Sequence, residues 1–136
     1  MKLLALDYGA KKIGVAIGDT NVGVAQTRDY FANDKNFFKK LSELCKKEKI
    51  EQFVLGLPRG FSKETRQTLD VRKFGSLLQK QLGLPVNLLD ERFTTKIAAQ
   101  NLHAAGKKSK AQKQLIDSES ARILLQDYLD KLAPSC

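Results

Sequence analysis

KLLALDYGAKKIGVAIGDT, residues 2–20, decides the fold. Its first six residues form an apolar run that ends in a carboxylate, Asp7, and Tyr8-Gly9 supplies a tight turn. Residues 12–18 (KIGVAIG) form a second run rich in Ile, Val and Gly, closed by the turn signal Asp19-Thr20-Asn21. A third strand is expected from Val22 to about Phe31. Two short turns linking three strands predict an antiparallel meander.

Outward from that stretch the period changes. Asn33-Asp34 is expected to cap a helix running to about Lys49, with Phe37, Phe38, Leu41, Leu44 and Cys45 on one side. Residues 52–57 (QFVLGL) read as a strand closed by Pro58. Residues 64–82 suit a long helix stopped by Gly83, and Pro85 opens a strand over Val86–Leu89. A helix over about 94–105, a basic loop over 106–113 and a last helix over about 115–132 complete the chain. The alternation of strands and helices after the meander favours parallel pairing through crossovers. The expected architecture is α/β: a mixed five-stranded sheet, an antiparallel meander of three strands and then two strands added through helical crossovers, with helices on both faces. Residues 1–136 show no internal repeat and no linker, so one domain is expected.

Composition narrows the function classes. At 42% hydrophobic residues the chain is read as globular, and no apolar run approaches a membrane span. Lys2 and Asp7 bracket too short an apolar run for a signal peptide. The net charge of +9 favours a polyanionic partner, because phosphate binding releases counterions. The two cysteines, Cys45 and Cys136, are too few for a disulfide framework or a zinc site and point to a reducing compartment, the cytoplasm.

Three acidic groups fall at special places. Asp7 ends the first strand, Asp90-Glu91 ends the last, and Asp117 is expected in the first turn of the final helix, in line with Ala121, Leu124 and Tyr128. In open α/β sheets the crevice lies beyond the carboxyl ends of the strands. For Asp7 and Glu91 to meet there, the first and last strands must be parallel neighbours. Clustered carboxylates repel one another unless a hard cation sits among them, which suits Mg²⁺ or Mn²⁺ and the two-metal cleavage of phosphodiesters. Each acid also has a plainer reading. Asp7 can terminate a turn, Glu91 can be a solvated loop acid and Asp117 can cap its helix. The metal site rests on their convergence.

Four motifs in order resemble the YqgF/RuvX family over nearly the whole chain. Asp7-Tyr8-Gly9-Ala10-Lys11-Lys12-Ile13-Gly14-Val15-Ala16 resembles its amino-terminal motif, and Val54-Leu55-Gly56-Leu57-Pro58 a strand-end signature. Asp90-Glu91-Arg92-Phe93-Thr94-Thr95 and Asp117-Ser118, followed by Ala121 and residues 123–129, are similar to its later motifs. The resemblance implies a ribonuclease H-like fold related to Holliday junction resolvases, a nuclease maturing the 5′ end of pre-16S rRNA, and Asp7, Glu91 and Asp117 as catalytic metal ligands. Lys11-Lys12 stands where the family often has Lys-Arg, which keeps charge but loses the bidentate fork. Arg59-Gly60-Phe61-Ser62-Lys63 replaces the usual Asn or Asp-Gly turn with a slightly shorter one.

Lys107, Lys108, Lys110 and Lys113 crowd the expected basic loop, and Lys11, Lys12, Arg59 and Arg92 lie near the acids. Together they are the candidate nucleic-acid contacts, holding backbone while the acids support cutting. Structured or single-stranded RNA is the favoured partner, with branched DNA as the alternative. Junction resolution calls for paired sites on a homodimer; a monomer serves RNA cleavage equally well. A binding module without hydrolysis keeps the charge and drops the metals. An actin- or sugar-kinase-like ATPase, hinted at by Asp7-x-Gly9 and Gly14, needs a second domain that 136 residues do not supply.

Overall fold

The computed structural model describes residues 1–57, 66–90 and 110–132; side chains are described for these except residues 66, 67, 90 and 110–117. In chain order the elements are β1 (Lys2–Asp7), β2 (Lys12–Asp19), β3 (Ala25–Ala32), α1 (Phe37–Glu48), β4 (Gln52–Leu57), α2 (Arg66–Leu82), β5 (Val86–Asp90) and α3 (Lys110–Leu132). The expected helix over 94–105 and the loop residues 106–109 lie outside the described residues.

The sheet has five strands in the order β3-β2-β1-β4-β5. β1–β2 and β2–β3 are antiparallel, and β1–β4 and β4–β5 are parallel. This is the expected mixed sheet. The condition set for Asp7 and Glu91 to meet directly is met only in part: β1 and β5 are parallel, but β4 lies between them. Strand spacing of about 4.8 Å puts their ends about 10 Å apart.

The apolar residues of β1 alternate between two cores. Leu4 and Leu6 face α1 and α2, together with Ile13, Val15, Phe53 and Leu55. Leu3 and Ala5 face α3, together with Ala16, Ala25 and Val54. The helices show matching stripes. Phe37, Leu41 and Cys45 recur every four residues along α1, and Val71, Phe74 and Leu78 do the same work on α2. Ala121, Leu124, Leu125 and Leu129 line α3. None of the described helices is long and apolar enough to cross a membrane.

Three boundaries depart from expectation. β3 starts at Ala25 rather than Val22, because the Asp19 carbonyl accepts from the N–H groups of both Val22 and Gly23, and Gly23 takes φ 79°. α1 starts at Phe37, with Asn36 at its N-cap and no side-chain cap. Asn33 is engaged elsewhere, donating to the Gly9 carbonyl at 2.8 Å, while Asp34 accepts from the Asn36 N–H at 2.9 Å in a preceding turn. Finally, α3 begins at Lys110 rather than about residue 115. Lys-Ala-Gln-Lys-Gln is polar but made of strong helix formers, so the basic stretch is partly helix. Lys110 and Lys113 therefore stand on α3 and not in a loop, and Asp117 lies about two turns inside the helix, which excludes it as an N-cap.

Candidate active site

Asp7 is the last residue of β1 and shares the face of Leu3 and Ala5, the face that α3 covers. Its side chain is partly buried. Its partner on β2 is Gly14. Leu6 pairs with Leu55 on β4, so one residue further Asp7 comes level with Gly56. Gly56 in turn pairs with Leu89. Both strands beside Asp7 thus carry no side chain at its level. A glycine inside a strand marks a bulge or a close approach, and here two flank one carboxylate.

The neighbouring strand is irregular at the same row. Ile13 pairs with Phe31 and Val15 with Arg28, so Asp29 and Tyr30 together oppose Gly14 as a β-bulge. Bulges of this kind re-aim side chains beside sites. Lys12 shares the α3 face with Gly14, and its ammonium sits 4.9 Å from the centre of the Tyr30 ring. A fixed positive charge therefore lies on the face that carries Asp7.

The turn after β1 is closed tightly. A Cβ at Gly9 would come within 2.5 Å of the Lys12 carbonyl oxygen, so only glycine fits. The Asn33 side chain on the Gly9 carbonyl and the Asn33 N–H on the Lys11 carbonyl, 2.9 Å, tie this turn to the end of β3. Lys11 is exposed on it.

α3 is registered on the sheet by its own polar residues. The buried Ser118 hydroxyl donates to the Arg28 carbonyl at the edge of the bulge. Arg28 pairs with Val15, and Val15 with Leu6, the residue before Asp7. The backbone at Asp117 is therefore held one residue from a contact that lies in the row beside Asp7. Further along, Gln126 accepts from the Ala25 N–H at 2.9 Å and donates to the Gly23 carbonyl at 2.8 Å. Arg122 pairs with Glu119 on the same helix; that carboxylate's hydrogen bond raises the guanidinium pKa further.

The predicted site residues thus divide. Asp7, Lys11 and Lys12 are described in full and gather at one strand edge. Asp117, Lys110 and Lys113 are placed on α3 by backbone alone. Glu91, Arg59, Arg92, Lys107 and Lys108 lie outside the described residues. Among the described residues no three metal-ligating side chains cluster. Of the expected donors only the Asp7 carboxylate is described, an oxygen group of the kind that hard divalent cations take, beside two positions without side chains. Sequence reading missed Gly14, Gly56 and Ser118. The interior glycines of KIGVAIG and VLGLP were the available signal; Ser118 stood in the Asp117-Ser118 motif, but nothing in the sequence gave it a partner.

A family model described as RuvX, Holliday junction resolvase, matches residues 1–131. Among similar sequences, a candidate pre-16S rRNA nuclease of Heliobacterium modesticaldum is 41% identical, covering 98% of this chain and 91% of that relative. One of the same name from Lacticaseibacillus casei is 37% identical, covering 98% and 97%. Among solved structures, the Fowlpox virus resolvase with Holliday junction DNA aligns with a TM-score of 0.59 at 12% identity, covering 98% of this chain and all of that one (100%). Thermus thermophilus RuvC with a Holliday junction substrate aligns at 0.52 and 12% identity, covering 96% and 94%. At that identity the structural likeness establishes the fold, which is ribonuclease H-like.

Proposed function

The chain belongs to the RuvX family, and on that footing we propose that it is a divalent-metal-dependent nuclease hydrolysing phosphodiester bonds in 5′-end maturation of pre-16S rRNA. In this reading residues 1–136 act as one nuclease domain in the cytoplasm. The observation that supports it most is Asp7 on the α3 face between Gly14 and Gly56, at the edge where β1, β4 and β5 all end.

Asp7, Glu91 and Asp117 are the proposed ligands of Mg²⁺ or Mn²⁺. One or two such ions, when bound, supply charge neutralisation at the scissile phosphate and water activation. The chain's own residues do the rest. The glycine pair keeps protein side chains from filling the space that the phosphate needs. Lys12, held over Tyr30, and Lys11 on the turn attract backbone to that edge. Lys110 and Lys113 on α3, with Arg59, Arg92, Lys107 and Lys108, are proposed to extend the same contact. Ser118 anchors α3 on the Arg28 carbonyl, and through that anchor it is proposed to set where Asp117 stands relative to Asp7.

Holliday junction DNA is the second reading, favoured by the description of the matching family. A cleavage assay with Mg²⁺ separates the two, comparing precursor ribosomal RNA with a four-way DNA junction and using Asp7→Asn as control. RNA cleavage lost in the variant is expected. Junction cleavage by a two-fold dimer with intact RNA would replace the first reading by the second. Tight binding with no cleavage of either would leave a binding module.

A further inference from the structure

We propose that the cleft on the opposite side of the β1 edge from α3 receives a single unstacked nucleobase of the nucleic-acid substrate. The cleft holds about 280 Å³ and lies between the start of α1 and the first half of α2, over the residue that follows Asp7. Its floor is aromatic. Tyr8 packs on Phe74 at 4.6 Å between ring centres, and Phe38 stacks on Phe74 at 6.0 Å. Tyr8 and Phe38 stay partly exposed there, and Leu77 at the rim is 48% exposed. The other rim groups that matter are Asp34, Asp70 and Lys73.

The chemistry of that lining selects its occupant. Small-molecule pockets run from roughly 300 Å³ upward, so this one suits a single ring system and not a whole cofactor. Two carboxylates against one ammonium at the rim disfavour a phosphodiester there. Carboxylates accept N–H groups, and an ammonium donates to a carbonyl or ring nitrogen. A base edge bearing amino hydrogens beside an acceptor satisfies both, and guanine carries the fullest set. Partly exposed aromatic faces give such a base its stacking surface.

Position supplies the remaining argument. Asp7 and Tyr8 are consecutive, so their Cα atoms are about 3.8 Å apart. Asp7 lies on the α3 face, and the Tyr8 ring packs with the aromatic cluster on the other. A strand crossing this edge can place a phosphate on one face while a neighbouring base enters the cleft. The proposal rests on the nuclease reading and deepens it: the bond cut lies beside a nucleotide that is unpaired, in a single-stranded segment or at a branch point.

The test reads binding without cleavage. Full-length chain in EDTA is titrated with a labelled single-stranded RNA, then with the same RNA made abasic at one position after another. One abasic position is expected to weaken binding roughly 5- to 150-fold, the range of a single base stack. In Phe38→Ala that penalty is expected to disappear, as a double-mutant cycle requires. Asp70→Ala, at an exposed rim position that leaves the fold intact, is expected to shrink the preference for guanine over uracil there. An abasic scan that is flat in the wild type, or penalties unchanged in both variants, overturns the proposal even if the protein cleaves RNA. A positive cycle in a protein that cleaves nothing keeps the base site and removes the nuclease reading.

Discussion

Under α1 and α2 the sheet presents large side chains, Leu4, Leu6, Ile13, Phe53 and Leu55. Under α3 it presents mostly small ones, Ala5, Ala16, Ala25 and glycines 14, 18 and 56, with Leu3, Val54 and the partly buried Leu89 as exceptions. The two faces come from the same strands, so the contrast is one of side-chain volume. Large residues hold α1 and α2 at a distance and fill the gap with apolar area. Small residues let α3 approach: a Cβ at Gly18 would lie 2.9 Å from Leu129 Cδ1 and 3.2 Å from Leu125 Cδ2. They also leave Asp7 without flanking bulk. Both faces bury an apolar core, but only the α3 face leaves space beside a carboxylate.

Removing the carboxylate tests that division most severely. Asp7→Asn is expected to lower metal-dependent cleavage roughly 10³-fold or more, about 4 kcal/mol of transition-state stabilisation, while denaturant unfolding shifts by less than about 1 kcal/mol. A variant that loses folding and activity together would make Asp7 a structural residue. Leu41→Ala, on the large-residue face, is expected to cost about 2–5 kcal/mol in urea unfolding, with turnover per folded molecule retained. On the small-residue face, Gly18→Ala should cost about 1–3 kcal/mol by pressing on Leu125 and Leu129. Equal tolerance of Ala and Leu at position 18 would break the contrast.

Ser118→Ala sharpens it. The loss of the hydroxyl leaves the Arg28 carbonyl without this donor, worth about 1–2 kcal/mol. Because α3 is then free to shift against the bulge, kcat is expected to fall further than the folded fraction does, with RNA binding unchanged. The smallest effect concerns Cys45, whose thiol burial pushes up to about 11. The unfolded thiol ionises first as pH rises, so its contribution to stability is complete below about 9 and is lost as pH climbs through 11. Slow alkylation at pH 8 that speeds up only with urea is the expected signature; rapid labelling of native protein would place Cys45 outside the core.

The strands of the large-residue face were readable because burial leaves runs such as LLAL and FVLGL that no loop would carry. β3 was readable only in part: AQTRDYFA is half solvent-facing, and its start depends on how the Asp19 carbonyl is shared. The beginning of α3 was not readable, since lysines and glutamines without an apolar stripe look like a solvated loop until helix propensity decides. At the site, Asp7 stood out as an acid closing an apolar strand. The glycines beside it and the bulge opposite could be assigned only with strand order and register in hand, which depend on long-range pairing. The insertion of β4 between β1 and β5 was hidden for the same reason.

The clasp of Gln126 on Gly23 and Ala25 joins residues about a hundred positions apart. At roughly 5–20 residues per second of synthesis, several seconds or more separate the emergence of that turn from the helix that clasps it. During this interval the meander has α1 and α2 to lean on but no cover over the Asp7 face. The Asp7 face is therefore the part of the sheet whose cover comes last off the ribosome.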